Sequence, residues 1–158
     1  MTSVGITGHM GLTPSTRVAV AAELARQLVG LPAPLVGFTS LAPGADQAFA
    51  WAVLAAGGEI VFVPPCEEIE STIPDANLTH FRAARAAASE VVPPSHVKPS
   101  EQAFFDAGKY IAEHADLLFA VWDGGPSGGL GGTADIVELR ESSGRPWLRV
   151  WPSGSSRG

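Results

Sequence analysis

The sequence has little of what marks secreted, membrane-spanning or general nucleic-acid-binding proteins. Its 158 residues include a single cysteine, Cys66, so no disulfide can form within the chain. Ten Lys and Arg residues against sixteen Asp and Glu give a formal net charge of −6, which disfavours nucleic acid as a partner. No apolar run approaches the roughly 20 residues that a membrane span needs. We therefore expect a cytoplasmic protein with no membrane segment.

The common nucleotide and metal signatures are also missing. Neither GxxxxGK[ST] nor GxGxxG occurs, so the sequence supports no Walker-type triphosphate site and no standard dinucleotide fingerprint. The four histidines, at positions 9, 80, 96 and 114, do not have the spacing of metal ligands. We expect no metal and no cofactor.

The sequence does contain a regular alternation of β-branched runs and alanine-rich helical runs. Such alternation predicts one α/β domain, residues 1–152, with a mainly parallel sheet of about six strands, because parallel neighbours need crossover helices. Residues 153–158 are expected to form a flexible tail. The predicted strands are 3–7, 35–40, 59–63, 90–92, 117–122 and 147–151, and the predicted helices are 14–29, 45–56, 75–89, one capped by Ser100, and 134–143.

Ligands of parallel α/β sheets bind beyond the carboxyl ends of the strands, and three of those turns are rich in small residues. They are Gly8-His9-Met10-Gly11, the turn from Ser40 to Asp46, and the glycine-rich turn that ends in Gly131-Gly132-Thr133. Glycine lets the backbone approach a ligand, and the helix that follows offers free N–H donors, so a phosphate or another anion is predicted. The alternative is a flexible surface loop in which Thr133 is an ordinary N-cap.

Three titratable side chains near these turns have two interpretations each. Asp46 could accept hydrogen bonds from ribose or merely stabilise its helix. His9 could donate to a phosphate or simply cap a turn. Asp123 could bind ribose or act as a general base, or it could only shape the loop as an Asx-turn. The sequence leaves each of these open.

Three segments of the chain resemble the SLOG superfamily: GITGHM, SLAPGADQAFAWAVLAAGGEIVFVPP and ADLLFAVWDGGPSGGLGGTADIVELRESSGRPWLRVWP. This superfamily includes the LOG nucleoside-monophosphate phosphoribohydrolases and the domains of DNA-processing protein A (DprA). The resemblance implies a Rossmann-like three-layer fold, a homodimer or higher homo-oligomer, and a nucleotide or nucleotide-derived ligand. By position it implies that the ligand faces Gly8, Ser40, Gly44, Ala45, Asp46, Gly131, Gly132 and Thr133.

The catalytic pattern of the LOG enzymes matches this chain poorly. Their PGGxGTxxE motif ends in a glutamate, and Ile136 stands at that position, with Asp135 one residue earlier and Glu138 two later. The family arginine falls near Ala107, where Lys109 is the nearest cation. If the protein is an enzyme, Asp123 or Asp135 is the predicted catalytic carboxylate for hydrolysis of an N-glycosidic bond.

Two further functions stay open on the sequence. One is a sensor or partner module that transmits ligand occupancy through a dimer interface, for which the uncharged second helix is a candidate. The other is single-stranded DNA binding by analogy with DprA, which the acidic balance disfavours.

Overall fold

The computed structural model describes all residues, 1–158, and contains six strands that alternate with five α-helices. The boundaries agree with the sequence to within one or two residues, and one unpredicted 3-10 helix, Ile69–Thr72, lies in a segment expected to be a loop. Thr13 and Ser100 cap the first and fourth helices as predicted. The strands are β1 Thr2–Gly8, β2 Leu35–Thr39, β3 Glu59–Phe62, β4 Glu90–Val91, β5 Leu117–Val121 and β6 Trp147–Arg149; the helices are α1 Pro14–Val29, α2 Ala45–Ala55, α3 Asp75–Ala87, α4 Glu101–His114 and α5 Thr133–Ser142.

The six strands form one parallel sheet in the order β4-β3-β2-β1-β5-β6. One core cluster joins Leu24 of α1, Phe49 of α2 and Phe81 of α3. A second cluster joins Ile111 of α4 and Ile136 of α5. Alternate residues of the strands point into the two clusters, so the sheet is covered by helices on both faces. This is the predicted Rossmann-like three-layer α/β fold.

The strand order of the sheet reverses direction between β1 and β5. The chain adds β2, β3 and β4 on one side of β1, then returns through α4 to place β5 on the other side. The pairing of Gly8 with Val121 brings the carboxyl ends of β1 and β5 side by side. A crevice at this switch point is where open α/β sheets bind ligands.

Helix α2 is covered by neighbours from the same chain. It contacts α1, α3 and the strands β1 to β3. Trp51 is 39% exposed and lies edge-on to His80 of α3. Assembly into dimers stays a prediction. None of the five α-helices has the length and apolar character that crossing a bilayer demands.

Residues 153–158, which we name the strap, lie against the loop before α1 and its first turn. The Ser156 N–H donates to Thr16 Oγ1 at 2.8 Å, and the Thr13 N–H donates to the Ser156 carbonyl at 3.3 Å. The Gly158 N–H donates to the Gly11 carbonyl at 3.3 Å. The expected mobility of this segment stays a prediction, but its position brings it beside the first glycine turn.

Gly44 provides a test of the turn between β2 and α2. Its φ is +83°, and a Cβ there would lie 2.4 Å from the Met10 carbonyl oxygen, whereas Gly57 has φ +81° and open space around a Cβ. We expect Gly57→Ala to cost about 1 kcal/mol, the penalty of positive φ alone. Gly44→Ala should cost about 3 kcal/mol or more, because strain and backbone overlap add. Urea unfolding of both variants measures the difference, and equal losses would contradict the close approach.

Candidate functional site

An open cavity of about 180 Å³ lies where the turns after β1, β2 and β5 meet. Seven of the eleven predicted site residues line it, and they come from all three turns: Gly8, His9, Ser40, Asp46, Gly131, Gly132 and Thr133. The other four, Gly44, Ala45, Asp123 and Asp135, do not. The cavity thus brings together most of the predicted site residues, but not all of them face it.

The turn between β5 and α5 is shaped by its own polar groups. The Gly131 N–H donates to Asp135 Oδ2 at 3.0 Å, and the Asp135 N–H donates to Ser127 Oγ at 3.1 Å. Gly131 has φ +86°, where a Cβ would lie 2.8 Å from the Phe105 amide nitrogen of α4. Glycine is therefore required here for a close approach to α4.

Two amides at the start of α5 have no partner within the protein. The N–H groups of Thr133 and Ala134 donate to no backbone or side-chain acceptor, and both residues line the cavity. The first N–H groups of a helix cannot be paired within it and carry the positive end of its dipole. This corner of the cavity can therefore accept an anion.

The turn between β2 and α2 is different, because two amides at the start of α2 pair with carbonyls and the small residues of the turn pack against the β1 turn. The Ala45 N–H donates to the His9 carbonyl at 3.3 Å, and the Gln47 N–H donates to the Ala42 carbonyl at 3.2 Å. A Cβ on Gly8 would lie 2.5 Å from the Ala45 Cβ. The small residues Gly8, Gly44 and Ala45 thus let the first two turns pack against each other.

Leu41 adds to the rigidity of the second turn. It is fully buried and has φ +57°, an uncommon conformation for a residue with a large side chain. The Thr39 hydroxyl accepts the Leu41 N–H at 3.0 Å, and Gln47 Nε2 donates to the Leu41 carbonyl at 3.1 Å. These contacts hold the loop that presents Asp46 to the cavity.

Asp46 is the only carboxylate that lines the cavity, and it is 7% exposed. Burial raises its pKa to about 7, although backbone hydrogen bonds from Ala42 and Ser40 oppose the rise. The Ala42 N–H reaches Oδ2 at 3.4 Å, and no side chain donates to the carboxylate. A buried carboxyl of this kind can bind a ligand donor or exchange a proton near neutral pH.

His9 is buried at the base of the first turn, edge-on to Trp151. Its Nε2 accepts the Asp123 N–H at 3.1 Å and lies 3.2 Å from Asp123 Oδ1. Burial and the positive charge of Arg157 lower the pKa of His9, and Asp123 opposes this. The histidine therefore joins the turns after β1 and β5 mainly in its neutral form.

The two predicted catalytic carboxylates are engaged in hydrogen bonds that shape the β5 turn. Asp123 Oδ1 accepts the Gly125 N–H at 2.8 Å, the geometry of an Asx-turn, and this bond holds the pKa of Asp123 below its usual value. Asp135 accepts the Gly131 N–H, as described above. Their catalytic role stays a prediction, and both side chains lie outside the cavity lining.

The position that matches the LOG glutamate is apolar in this chain. Ile136 is buried, lines the cavity and packs against α4, where a Cβ on Gly108 would be 2.7 Å from Ile136 Cδ1. Lys109, the cation nearest to the position of the family arginine, is about half exposed, lies 3.8 Å from Glu113 and does not line the cavity. Neither charged group of the LOG pattern is therefore present in the cavity at its expected position.

Sequence reasoning missed several residues of the cavity. Arg157 of the strap lines it, as do Trp122, Phe104 and Ser127. Only Ser127, inside the glycine-rich turn, had a local signal that could have found it. No group of three or more His, Cys, Asp or Glu side chains is arranged to hold a metal ion.

Comparison with known proteins identifies the fold. No protein-family model and no curated protein matches the chain. Among solved structures, DNA processing protein A (DprA) from Streptococcus pneumoniae has a TM-score of 0.66 at 19% identity, over 94% of this chain and 50% of that protein. DprA from Helicobacter pylori has a TM-score of 0.64 at 16% identity, over 99% and 68%. The molybdenum cofactor binding protein of Rippkaea orientalis has a TM-score of 0.60 at 16% identity, over 94% and 75%.

These likenesses confirm the resemblance seen in the sequence at the level of the fold. The chain has a Rossmann-like α/β fold that DprA and the molybdenum cofactor binding and carrier proteins share. It spans about half the length of the DprA protein from Streptococcus pneumoniae. At such low identity the comparison assigns the architecture, and the ligand must be argued from the residues of this cavity.

The buried carboxyl of Asp46 predicts a distinctive pH dependence of stability. A folded-state pKa raised from 3.8 to about 7 means that the native protein holds a proton that the unfolded chain releases, so Asp46 destabilises the fold increasingly between about pH 4 and pH 7. Asp46→Asn removes this penalty. We expect the variant to exceed the wild type in free energy of unfolding by up to about 4 kcal/mol at pH 8, and by little at pH 4.

Urea unfolding at a series of pH values measures this gain. Asp75→Asn is the matched control, because Asp75 is also in the first turn of a helix but is exposed. A gain for Asp46→Asn that does not change with pH would show that the carboxyl ionises as it does in water.

Proposed function

We propose that this protein binds a nucleotide or a nucleotide-derived small molecule in the cavity at the carboxyl ends of β1, β2 and β5. The observation that carries this proposal is the pair of unpartnered amides at the start of α5, which face the same cavity as the buried carboxyl of Asp46. The amides suit an anion, and the carboxyl suits a hydrogen-bond donor. A phosphorylated sugar unit has both groups.

The phosphate is assigned to the corner formed by Gly131, Gly132 and Thr133. The free N–H groups of Thr133 and Ala134 and the Thr133 hydroxyl supply donors there without side-chain charge. The sugar hydroxyls are assigned to Asp46, whose carboxyl has no side-chain partner. Phe104, Trp122 and Ile136 supply an apolar wall on which a base can lie.

Hydrolysis of an N-glycosidic bond is the second candidate function. A carboxyl with a pKa of about 7 suits a general acid that protonates the leaving base while water adds to the sugar carbon. Asp46 is the carboxyl with this environment, whereas Asp123 and Asp135 accept backbone N–H groups of the turn. The apolar Ile136 at the LOG glutamate position favours binding over LOG-type hydrolysis.

The structural neighbours support ligands of two kinds. One is described as a molybdenum cofactor binding protein, which favours a small-molecule ligand. The DprA of Helicobacter pylori binds single-stranded DNA. The neighbours therefore do not support the expectation that nucleic acid is disfavoured as a partner of this chain. A short oligonucleotide therefore belongs in any ligand panel.

The free amides can be tested separately from the hydroxyl at the same position. Thr133 is the first residue of α5 and follows Gly132 at φ −68° and ψ 167°, a conformation compatible with a following proline. Thr133→Pro removes the amide donor and the hydroxyl, whereas Thr133→Val removes only the hydroxyl. We expect Thr133→Pro to bind AMP about 10-fold more weakly than Thr133→Val, because a hydrogen bond to a charged group is lost.

Isothermal titration with AMP, CMP, GMP and a short single-stranded oligonucleotide measures these affinities. Circular dichroism of both variants controls for loss of α5. Equal affinities of two folded variants would remove the amide from the proposed site, and an absence of binding by every nucleotide would overturn the proposal.

Catalysis is tested by incubating the protein with each nucleoside monophosphate and separating any released base by chromatography. We expect bound nucleotide and no released base, because the cavity lacks the LOG glutamate. If base is released, Asp46→Asn, Asp123→Asn and Asp135→Asn identify the carboxyl responsible. Loss of at least about 100-fold in Asp46→Asn alone would assign the proton donor to Asp46, and loss only in Asp123→Asn or Asp135→Asn would support the assignment made from the sequence.

A further inference from the structure

The strap contributes a charged group to the cavity. Arg157 is the only Lys or Arg that lines it, and the other ionisable side chains there are His9 and Asp46. The Arg157 side chain is 52% exposed. It therefore has room to move toward an anion while its backbone stays attached to the protein.

The backbone on both sides of Arg157 is fastened to the start of the domain. Ser156 is bonded through its N–H to Thr16 and through its carbonyl to Thr13, and Gly158 is bonded to Gly11. These partners lie about 140 residues away in sequence, and Thr16 is buried. The cation is thus held at the cavity edge by contacts that do not involve its own side chain.

The guanidinium has one acidic neighbour, and that contact is loose. Arg157 Nη1 lies 4.0 Å from Asp123 Oδ2, while the Asp123 carboxylate accepts the Gly125 N–H and the Asp123 N–H donates to His9 Nε2. A pair at this separation and exposure contributes little to stability. Turning from Asp123 to a phosphate in the cavity would replace a weak contact with a charge-assisted hydrogen bond.

We propose that the strap is a part of the binding site and that Arg157, together with the free amides of Thr133 and Ala134, binds the anionic group of the ligand. The proposal rests on the proposed function for the identity of the ligand, but it makes a separate claim about the source of the positive charge. It assigns to Arg157 the preference for a phosphorylated ligand over the same molecule without phosphate.

The test uses the full chain and four probes: AMP, adenosine, inorganic phosphate and inorganic pyrophosphate. We expect Arg157→Gln to weaken AMP and pyrophosphate binding by about 10- to 100-fold and to leave adenosine binding unchanged. Arg17→Gln is the matched control, because Arg17 is an exposed arginine in the first turn of α1, next to Thr16 in sequence, and does not line the cavity. It should bind all four probes as the wild type does.

A double-mutant cycle tests whether the strap positions Arg157. Thr16→Val removes the oxygen that accepts the Ser156 N–H and keeps the shape of the side chain. We expect Thr16→Val to weaken AMP binding in the wild-type background and to have no further effect in the Arg157→Gln background. The reason is that the hydrogen bond from Ser156 to Thr16 affects AMP binding only by positioning Arg157. Additive losses would mean that the strap does not act through Arg157, and they would overturn that part of the proposal.

The outcomes separate the two proposals. Phosphate or pyrophosphate binding that depends on Arg157, without nucleotide binding, would uphold the role of Arg157 and overturn the nucleotide proposal. Nucleotide binding that is the same in wild type and Arg157→Gln would uphold the nucleotide proposal and overturn the role of Arg157. If the wild type binds none of the four probes, both proposals are overturned.

Discussion

The pairing of β5 with β1 is the constraint on which the candidate site depends. Because the chain crosses from β4 to the far side of β1, the turns after β1 and β5 lie side by side although they are more than 110 residues apart. His9 ties these turns together by accepting the Asp123 N–H. Without this adjacency, the turn after β1 and the turn after β5 could not line the same cavity.

The turn after β2 and the turn after β5 are both rich in small residues, but the small residues have different roles in the two turns. At the β2 turn, glycine permits close packing, and the Ala45 N–H donates to the His9 carbonyl. At the β5 turn, the Asp135 carboxylate and the Ser127 hydroxyl accept N–H groups of the loop, and the first two amides of α5, those of Thr133 and Ala134, stay free. The sequence does not separate the two turns, because the close approach of the β2 turn is to the β1 turn, which only the fold brings near.

Local signals predicted the elements well, and nonlocal contacts explain what they missed. Thr13 before Pro14 and Ser100 before α4 marked helix starts, since a cap needs only residues three positions away. The position of Asp46 was predictable, but its raised pKa was not, because the rise comes from burial of the carboxyl in the folded protein. The strap had neither apolar residues nor periodicity, and its partners are the far-away Thr13 and Thr16, so nothing in its own six residues indicated where it lies.

Charge near the cavity differs from the charge of the whole chain, and this decides which ligands suit it. A net charge of −6 argues against a broad polyanion surface, but such charges are screened beyond roughly 8–10 Å in physiological salt. Within the cavity, a pKa of about 7 leaves the Asp46 carboxyl only partly ionised near neutral pH, and burial favours the neutral form of His9. The positive groups there are the Arg157 guanidinium and the N-terminal end of α5. An acidic protein can therefore hold a small anion at this point, because burial reduces the negative charge of the cavity.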